Sequence, residues 1–344
     1  MQVWPERDRA RGALYGLAIG DALGMPTEGF TRQQVVERWG PMLRGFEAAP
    51  PDNPIAAGLP AGTVTDDTEQ AVLLGRHLIR HRGAIDPVDW AADLADWERD
   101  MAARGRHGLL GPSTKRAVAA VLAGTPPEVA GLGGDTNGAA MRITPVGIAF
   151  APGYTLPPGY GLFDRVPQAC LVTHNTPTAI AGALAVALAV SHGIMGTGVP
   201  YAIHLASTLA DIHGAFSGYR RSPAHDDVYS RIDRAAKRAR GLTLEGAADY
   251  LVTRIGTSLK TTESVPAAFG VLSAVRDDPW QACLLAASLG GDSDTIAAMA
   301  GAMAGAIHGK SAFPRHAIAT IDAHGLHLDE LADDLLALRG VGLT

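Results

Sequence analysis

Cysteine is almost missing from this chain: Cys170 and Cys283 are the only two in 344 residues. That excludes a disulfide framework and any CxxC zinc or redox motif, and it leads us to expect a reducing compartment. Positive charge is in deficit as well, with 29 Lys and Arg against 35 Asp and Glu and a formal net charge of -6. Such a balance argues against a general nucleic-acid binder and against an anionic-membrane binder. A site for a phosphate-bearing ligand would have to make its positive field locally, from cations or helix N-termini. Apolar runs are short too. The longest low-charge stretches, 176–191 and 295–307, fall below the roughly 20 residues that cross a bilayer and read as core helices. The first nine residues are charged and hold no apolar leader, so the expected location is cytoplasmic. Neither GxGxxG nor a Walker pattern occurs, so neither a Rossmann nor a P-loop reading is supported.

What is present is a chain 47% hydrophobic and 19% charged, enough apolar material for a sizeable core. Strand alternation with hairpin turns does not appear, while helical periodicity with small residues recurs throughout. We expect an all-α fold, one compact helical domain over residues 1–344, since no internal repeat or linker marks a boundary. Helices are expected near 8–22, 68–82, 86–103 and 113–123. The Pro- and Gly-rich stretch 31–62 reads as a long loop after one short helix, placed where it can cover a site. The polar, basic stretch 214–245 reads as a solvated helix face and loops.

The chemistry concentrates at helix entrances. In Ser288–Gly309, two glycines lead into Asp292, Ser293, Asp294 and Thr295, and a small-residue apolar run follows. Hard oxygen ligands packed this tightly suit a divalent cation, although Asp and Thr in a first helical turn also serve as plain caps. A second cluster, Thr65, Asp66, Asp67 and Thr68, opens another apolar helix. Asp66 with Glu69 has capping-box spacing, so one of these carboxylates has a structural alternative. Two acidic helix entrances far apart in sequence are what a two-metal oxygen site needs. Asp21, near the end of the first helix, opposes the helix dipole and wants a compensating partner. Glu28, set between Pro26 and Gly29, is the better candidate for a positioned carboxylate. The glycines at 133, 134 and 138 allow close backbone approach to a ligand, or form a plain turn. His174 precedes a helix with Pro177 in its first turn, where a histidine is commonly structural. If these entrances converge, they make one site whose helix dipoles favour an anionic ligand.

These segments together resemble the ADP-ribosylglycohydrolase family. The matching pieces are Gly16–Gly24 with Glu28, Thr65–Thr68, Asn137–Arg142, Thr173-His174 and Gly290–Thr295, in the family's order across nearly the whole chain. The resemblance implies an orthogonal all-α bundle with two Mg2+ or Mn2+ ions in a cleft. Carried over position by position, it implies that Thr65, Asp66 and Asp67 hold one ion and Asp292 and Thr295 the other, with Asp294 bridging. Glu28 would be a ligand or an acid/base residue, which makes Glu28 and Asp294 the candidate catalytic carboxylates. Asn137, Gly138, Met141 and His174 would line the substrate pocket. Apart from the resemblance, we expect the backbone N–H groups at 133–138, Gly134 among them, to cradle the pyrophosphate. The implied reaction is hydrolysis at C1 of ADP-ribose carried on a protein side chain or a small acceptor. A small-molecule N-ribosyl hydrolase and a non-catalytic ADP-ribose-binding module are the alternatives. Leu110 stands where arginine-directed members carry Asp, and Thr176 stands where an acidic residue often follows the His. Both departures bear on the acceptor and leave the ligand set intact.

Overall fold

The first helix, α1 (Pro5–Gly24), is lined on one face by Gly12, Gly16, Gly20 and Gly24, one turn apart. Its partner is α16 (Ser293–His308), which presents Gly301, Gly305 and the backbone at Ala297 and Asp294 to that face. A Cβ at Gly16 would lie 2.0 Å from the Gly301 carbonyl oxygen, and one at Gly20 would lie 2.0 Å from that of Ala297. Absence of side chains therefore lets two backbones touch, and this pair is the most extensive helix contact of the molecule.

The computed structural model describes residues 5–106, 110–153, 161–216 and 228–339. Between those two helices the chain forms α2 (Arg32–Trp39), α3 (Asp66–Arg80), α4 (Pro87–Ala103), α5 (Pro112–Leu122) and α6 (Pro127–Ala130). Then come α7 (Gly138–Met141), α8 (Thr144–Ala149), α9 (Leu162–Cys170), α10 (Pro177–Ile194) and α11 (Val199–Phe216). Next are α12 (Val228–Ala239), α13 (Leu244–Tyr250), α14 (Thr261–Ala274) and α15 (Pro279–Ala287). After α16, the helices α17 (Arg315–Asp322) and α18 (Leu328–Leu338) finish the fold. Among the described residues there is no strand, so the all-α expectation holds; Thr136 and Lys260 form an isolated bridge.

The four helices expected near 8–22, 68–82, 86–103 and 113–123 are α1, α3, α4 and α5, each within a turn of its expected ends. Helix α10 is long and apolar enough to cross a membrane, yet 83% of that window is buried inside the bundle. It packs on α8, α9, α11 and α16, as a core helix must. In the basic stretch, α12 buries Ile232, Ala235, Ala236 and Ala239 while Arg234, Lys237 and Arg238 are exposed. Arg220, Arg221, Asp226 and Asp227 of that stretch lie outside the described residues. The stretch 31–62 holds α2 and then irregular backbone, anchored where the Asn53 amide donates to the carbonyl oxygens of Pro26 and Glu28.

Candidate metal centre and active site

Helix α3 starts with a cap, and the cap is Thr65: its Oγ1 accepts the Asp67 N–H at 3.4 Å. The Asp66–Glu69 capping box anticipated as an alternative does not form. Glu69 instead accepts from Trp97 Nε1 at 2.9 Å and from Arg106 Nη1 at 2.7 Å. Asp21 reaches across from α1 and accepts the N–H of Thr65 at 2.9 Å, the N–H of Thr68 at 3.1 Å and the Thr68 hydroxyl. The partner that this acid wanted is thus the positive end of a neighbouring helix, not a basic side chain. With that end held by Thr65 and Asp21, Asp67 remains free for other work. Its Oδ1 is buried and has no hydrogen-bond donor.

Helix α16 starts differently. Gly290 and Gly291 both have positive φ, 72° and 70°, and a Cβ on either would strike a backbone carbonyl, that of Phe30 or Thr257. This tight path zips the two turns together. Gly29 N–H donates to the Gly291 carbonyl at 2.7 Å, and Gly291 N–H donates to that of Phe30 at 2.8 Å. Glu28 is thereby delivered beside the α16 entrance. Asp292 occupies the N-cap position but makes no capping hydrogen bond with its side chain. Its Oδ2 instead accepts from the Asn137 amide, which also donates to Ser264 Oγ at 2.9 Å. Thr295 Oγ1 donates to Asp67 Oδ2 at 3.2 Å and so ties one entrance to the other.

Two groups of carboxylates result, each with oxygens within 4.8 Å of one another: Asp21, Asp67 and Asp294 in one, Glu28, Asp292 and Asp294 in the other. Asp294 belongs to both. Burial pushes every one of these acids up, and mutual repulsion adds to it for most of them. Asp21 and Asp292 are raised to about 6 by burial. Asp66 is raised to about 7 by burial and then by the Asp21 charge. Asp67 and Asp294 are raised well above the usual range by burial and by neighbouring carboxylates. Glu28 rises to about 12 through burial and the charges of Asp294 and Asp292. So many carboxylates cannot ionise together without compensating positive charge. Together the pieces form an anionic oxygen-lined cluster where two helix N-termini meet. The profile of the ADP-ribosylglycohydrolase family matches residues 5–342 of this chain.

The chain belongs to the ADP-ribosylglycohydrolase family. It is 34% identical over 317 residues to the uncharacterized protein YegU of Escherichia coli, covering 92% of each chain. It is 28% identical to the ADP-ribosyl-[dinitrogen reductase] glycohydrolase of Rhodospirillum rubrum, covering 97% of each. A solved ADP-ribosylglycohydrolase-related protein complex aligns with a TM-score of 0.67 at 25% identity, over 97% of this chain and 98% of that one. The family and these relatives support a glycosyl hydrolase.

Residues expected from the family resemblance fall into place unevenly. Thr65, Asp67, Asp292, Asp294, Thr295 and Glu28 come together as described. Asp66 sits at the margin, its Oδ2 accepting from Gln70 at 3.1 Å, and it is in neither close group. Asn137 adjoins Asp292, and Met141 is buried in the short helix α7 that follows. His174 is 0% exposed and hydrogen-bonds Thr173 and Thr136. It therefore supports the 131–138 turn from behind and has no surface to offer a ligand in this state. Gly134 and Gly138 also pack closely within the protein. A Cβ at Gly134 would lie 2.0 Å from the Thr173 carbonyl oxygen, and one at Gly138 would lie 2.8 Å from His174 Cε1. These glycines make room for protein, whereas Gly133 faces open space. Two of the N–H groups imagined as a phosphate cradle are already engaged, Gly134 with the Gly131 carbonyl and Asn137 with that of Leu259. Asp21, which the ligand set implied by the resemblance does not include, lies in the first carboxylate group; an acid at the negative end of a helix was the available signal.

Proposed function

We propose that this chain is a cytoplasmic hydrolase that uses two divalent cations, Mg2+ or Mn2+, to cleave the bond at C1 of ADP-ribose attached to a protein side chain or a small acceptor. The observation that carries this is the pair of carboxylate groups joined through Asp294 in a chain of this family. The donor set fits two hard cations. It is all oxygen, it is buried, and it includes the undonated Asp67 Oδ1, a group that in isolation is costly to bury. Thr65, Asp66 and Asp67 would hold one ion and Asp292 and Thr295 the other, with Asp294 between them. Bound there, the ions supply positive charge that grips ribose hydroxyls and lowers the pKa of water.

The remaining steps belong to the chain itself. Glu28 is half-buried at the edge of the cluster, where it can pass a proton to the leaving group or take one from water. Such transfer typically contributes about 10²–10⁴-fold. Asn137 fixes the Asp292 carboxylate through its amide, and Ser264 fixes Asn137. The test is a turnover assay on ADP-ribosylated peptide with Asp292→Ala and Asp294→Ala. Both are expected to lose activity and the metal-dependent rise in Tm while remaining helical. Full activity in chelator would sink the metal mechanism.

For the acceptor, the relevant observation is Leu110, which is buried against Trp97 and Met101 where arginine-directed members place an acid. Thr176 likewise donates its hydroxyl to the Gly134 carbonyl at 2.7 Å and offers no charge. With no acid at either position to pair a guanidinium, an acceptor other than arginine is favoured. Turnover of ADP-ribosyl-arginine, ADP-ribosyl-serine and simple ribosides, measured side by side, separates protein acceptors from a small-molecule N-ribosyl substrate.

A further inference from the structure

Arg142 is 1% exposed, and its guanidinium stands behind the acidic cluster without touching any carboxylate of it. Nη1 donates to Gln70 Oε1 at 2.8 Å, and Nη2 donates to Thr173 Oγ1 at 2.5 Å. Guanidinium only donates, so the Gln70 and Thr173 oxygens that it meets both accept. Along one arm, Gln70 must turn its carbonyl oxygen to Arg142, which aims its NH2 at Asp66 Oδ2, 3.1 Å away. Along the other arm, Thr173 Oγ1 accepts from Arg142, which polarises its hydroxyl and favours donation of its own proton to His174 Nδ1 at 2.8 Å. In that arrangement His174 would carry its proton on Nε2 and donate it to Thr136 Oγ1, 3.0 Å away. Thr136 adjoins Asn137, whose amide returns to Asp292. A single buried cation thus connects the α3 entrance with the 131–138 turn and, through it, with the α16 entrance.

We propose that Arg142 and Gln70 are positioning residues that hold the Asp66 carboxylate for cation binding, and that Arg142 also sets the Nε2–H form of His174 that braces the 131–138 turn. The first half rests on the two-cation reading given above; the second does not. Asp66 is in neither close group of carboxylates, and the side-chain donor that it meets is the Gln70 amide. Gln70 is the residue that fixes the Asp66 carboxylate. Partners at this distance from a metal typically change affinity or activity by about 10–100-fold when removed.

The decisive variant is Gln70→Glu, nearly the same shape. It keeps an acceptor for Arg142 but replaces the donor to Asp66 with an oxygen, so the added repulsion should lower the Tm of the metal-free protein. We expect the Mn2+ concentration at half of the Tm rise to increase about tenfold, with Gln70→Met, which loses both contacts, showing the same increase. A merely structural role would leave that midpoint alone. Wild-type midpoints in both variants would overturn the Gln70 arm, whereas no Mn2+ response in the wild-type protein would overturn the two-cation reading beneath it. The His174 arm is read without metal, by imidazole 15N shifts. Nε2–H is expected in the wild type, with loss of that preference in Thr173→Val. An Nδ1–H imidazole in the wild type would overturn it.

Discussion

Asp294 does what none of its neighbours does, because its oxygens serve both carboxylate groups. Asp294→Asn should therefore stabilise the protein in chelator, where repulsion dominates, and remove the stabilisation by Mn2+; paired thermal melts measure both. Truncating Asp21 should act oppositely on metal-free stability. Asp21→Ala, unlike Asp21→Asn, removes the acceptor of the Thr65 and Thr68 N–H groups, lowering metal-free stability by about 0.5–2 kcal/mol, the scale of a lost helix cap. The sign of the pH effect follows from the raised values. Asp21 and Asp292 near 6 and Asp66 near 7 keep protons in the fold that the unfolded chain has already released. These groups contribute stability below the ordinary carboxylate range of about 4, and it is lost as pH rises to about 7. Urea unfolding in chelator should show that fall; a flat profile over this range would contradict it. At this scale the sequence was informative about residue type and silent about partners. Asp292 at a helix start reads equally as cap or ligand, and only the Asn137 contact distinguishes them. Glu69 fitted a capping box by spacing, yet Trp97 and Arg106, distant in sequence, claim it.

Elements were legible where small residues recur at one-turn intervals, as in α1 and α16, although the sequence pattern did not say that the two glycine faces meet. Gly16→Ala puts a methyl group against the Gly301 carbonyl. We expect a loss of about 1–3 kcal/mol, the usual scale of overpacking, together with weaker Mn2+ binding, because the seam continues to the backbone of Asp294. The 131–138 turn was read as glycine-rich for the sake of a ligand. Its packing gives a further reason at two positions, since Thr173 and His174 fill the space that a side chain would need. Gly134→Ala should lower Tm markedly and Gly133→Ala should leave it nearly unchanged. Equal effects would show that contact with residues 173–174 is not what requires glycine at 134. Helix ends were harder to place than helices, because caps such as Thr65 and Asp86 draw on local donors that spacing only suggests.

Across the whole molecule, the apolar α10 lies in the interior and α1 lies against α16 at the other end of the chain. The described termini are also tied: Arg7 and Arg11 of α1 both pair with Asp333 of α18. These long-range pairings are what one sequence conceals, since nothing local marks them. Cation binding should be felt globally, because a ligand that prefers the native state raises stability by mass action, about 2.7 kcal/mol at one hundred times its Kd.

The glycine-lined seam between α1 and α16 also has a bearing on how acceptor preference can be redesigned. With backbone against backbone there is no room for a larger side chain, so the floor of the site is closed to variation. Altered selectivity must be sought at the periphery, in the irregular 41–62 segment and around Leu110 and Thr176, where exchanges leave the carboxylate cradle undisturbed.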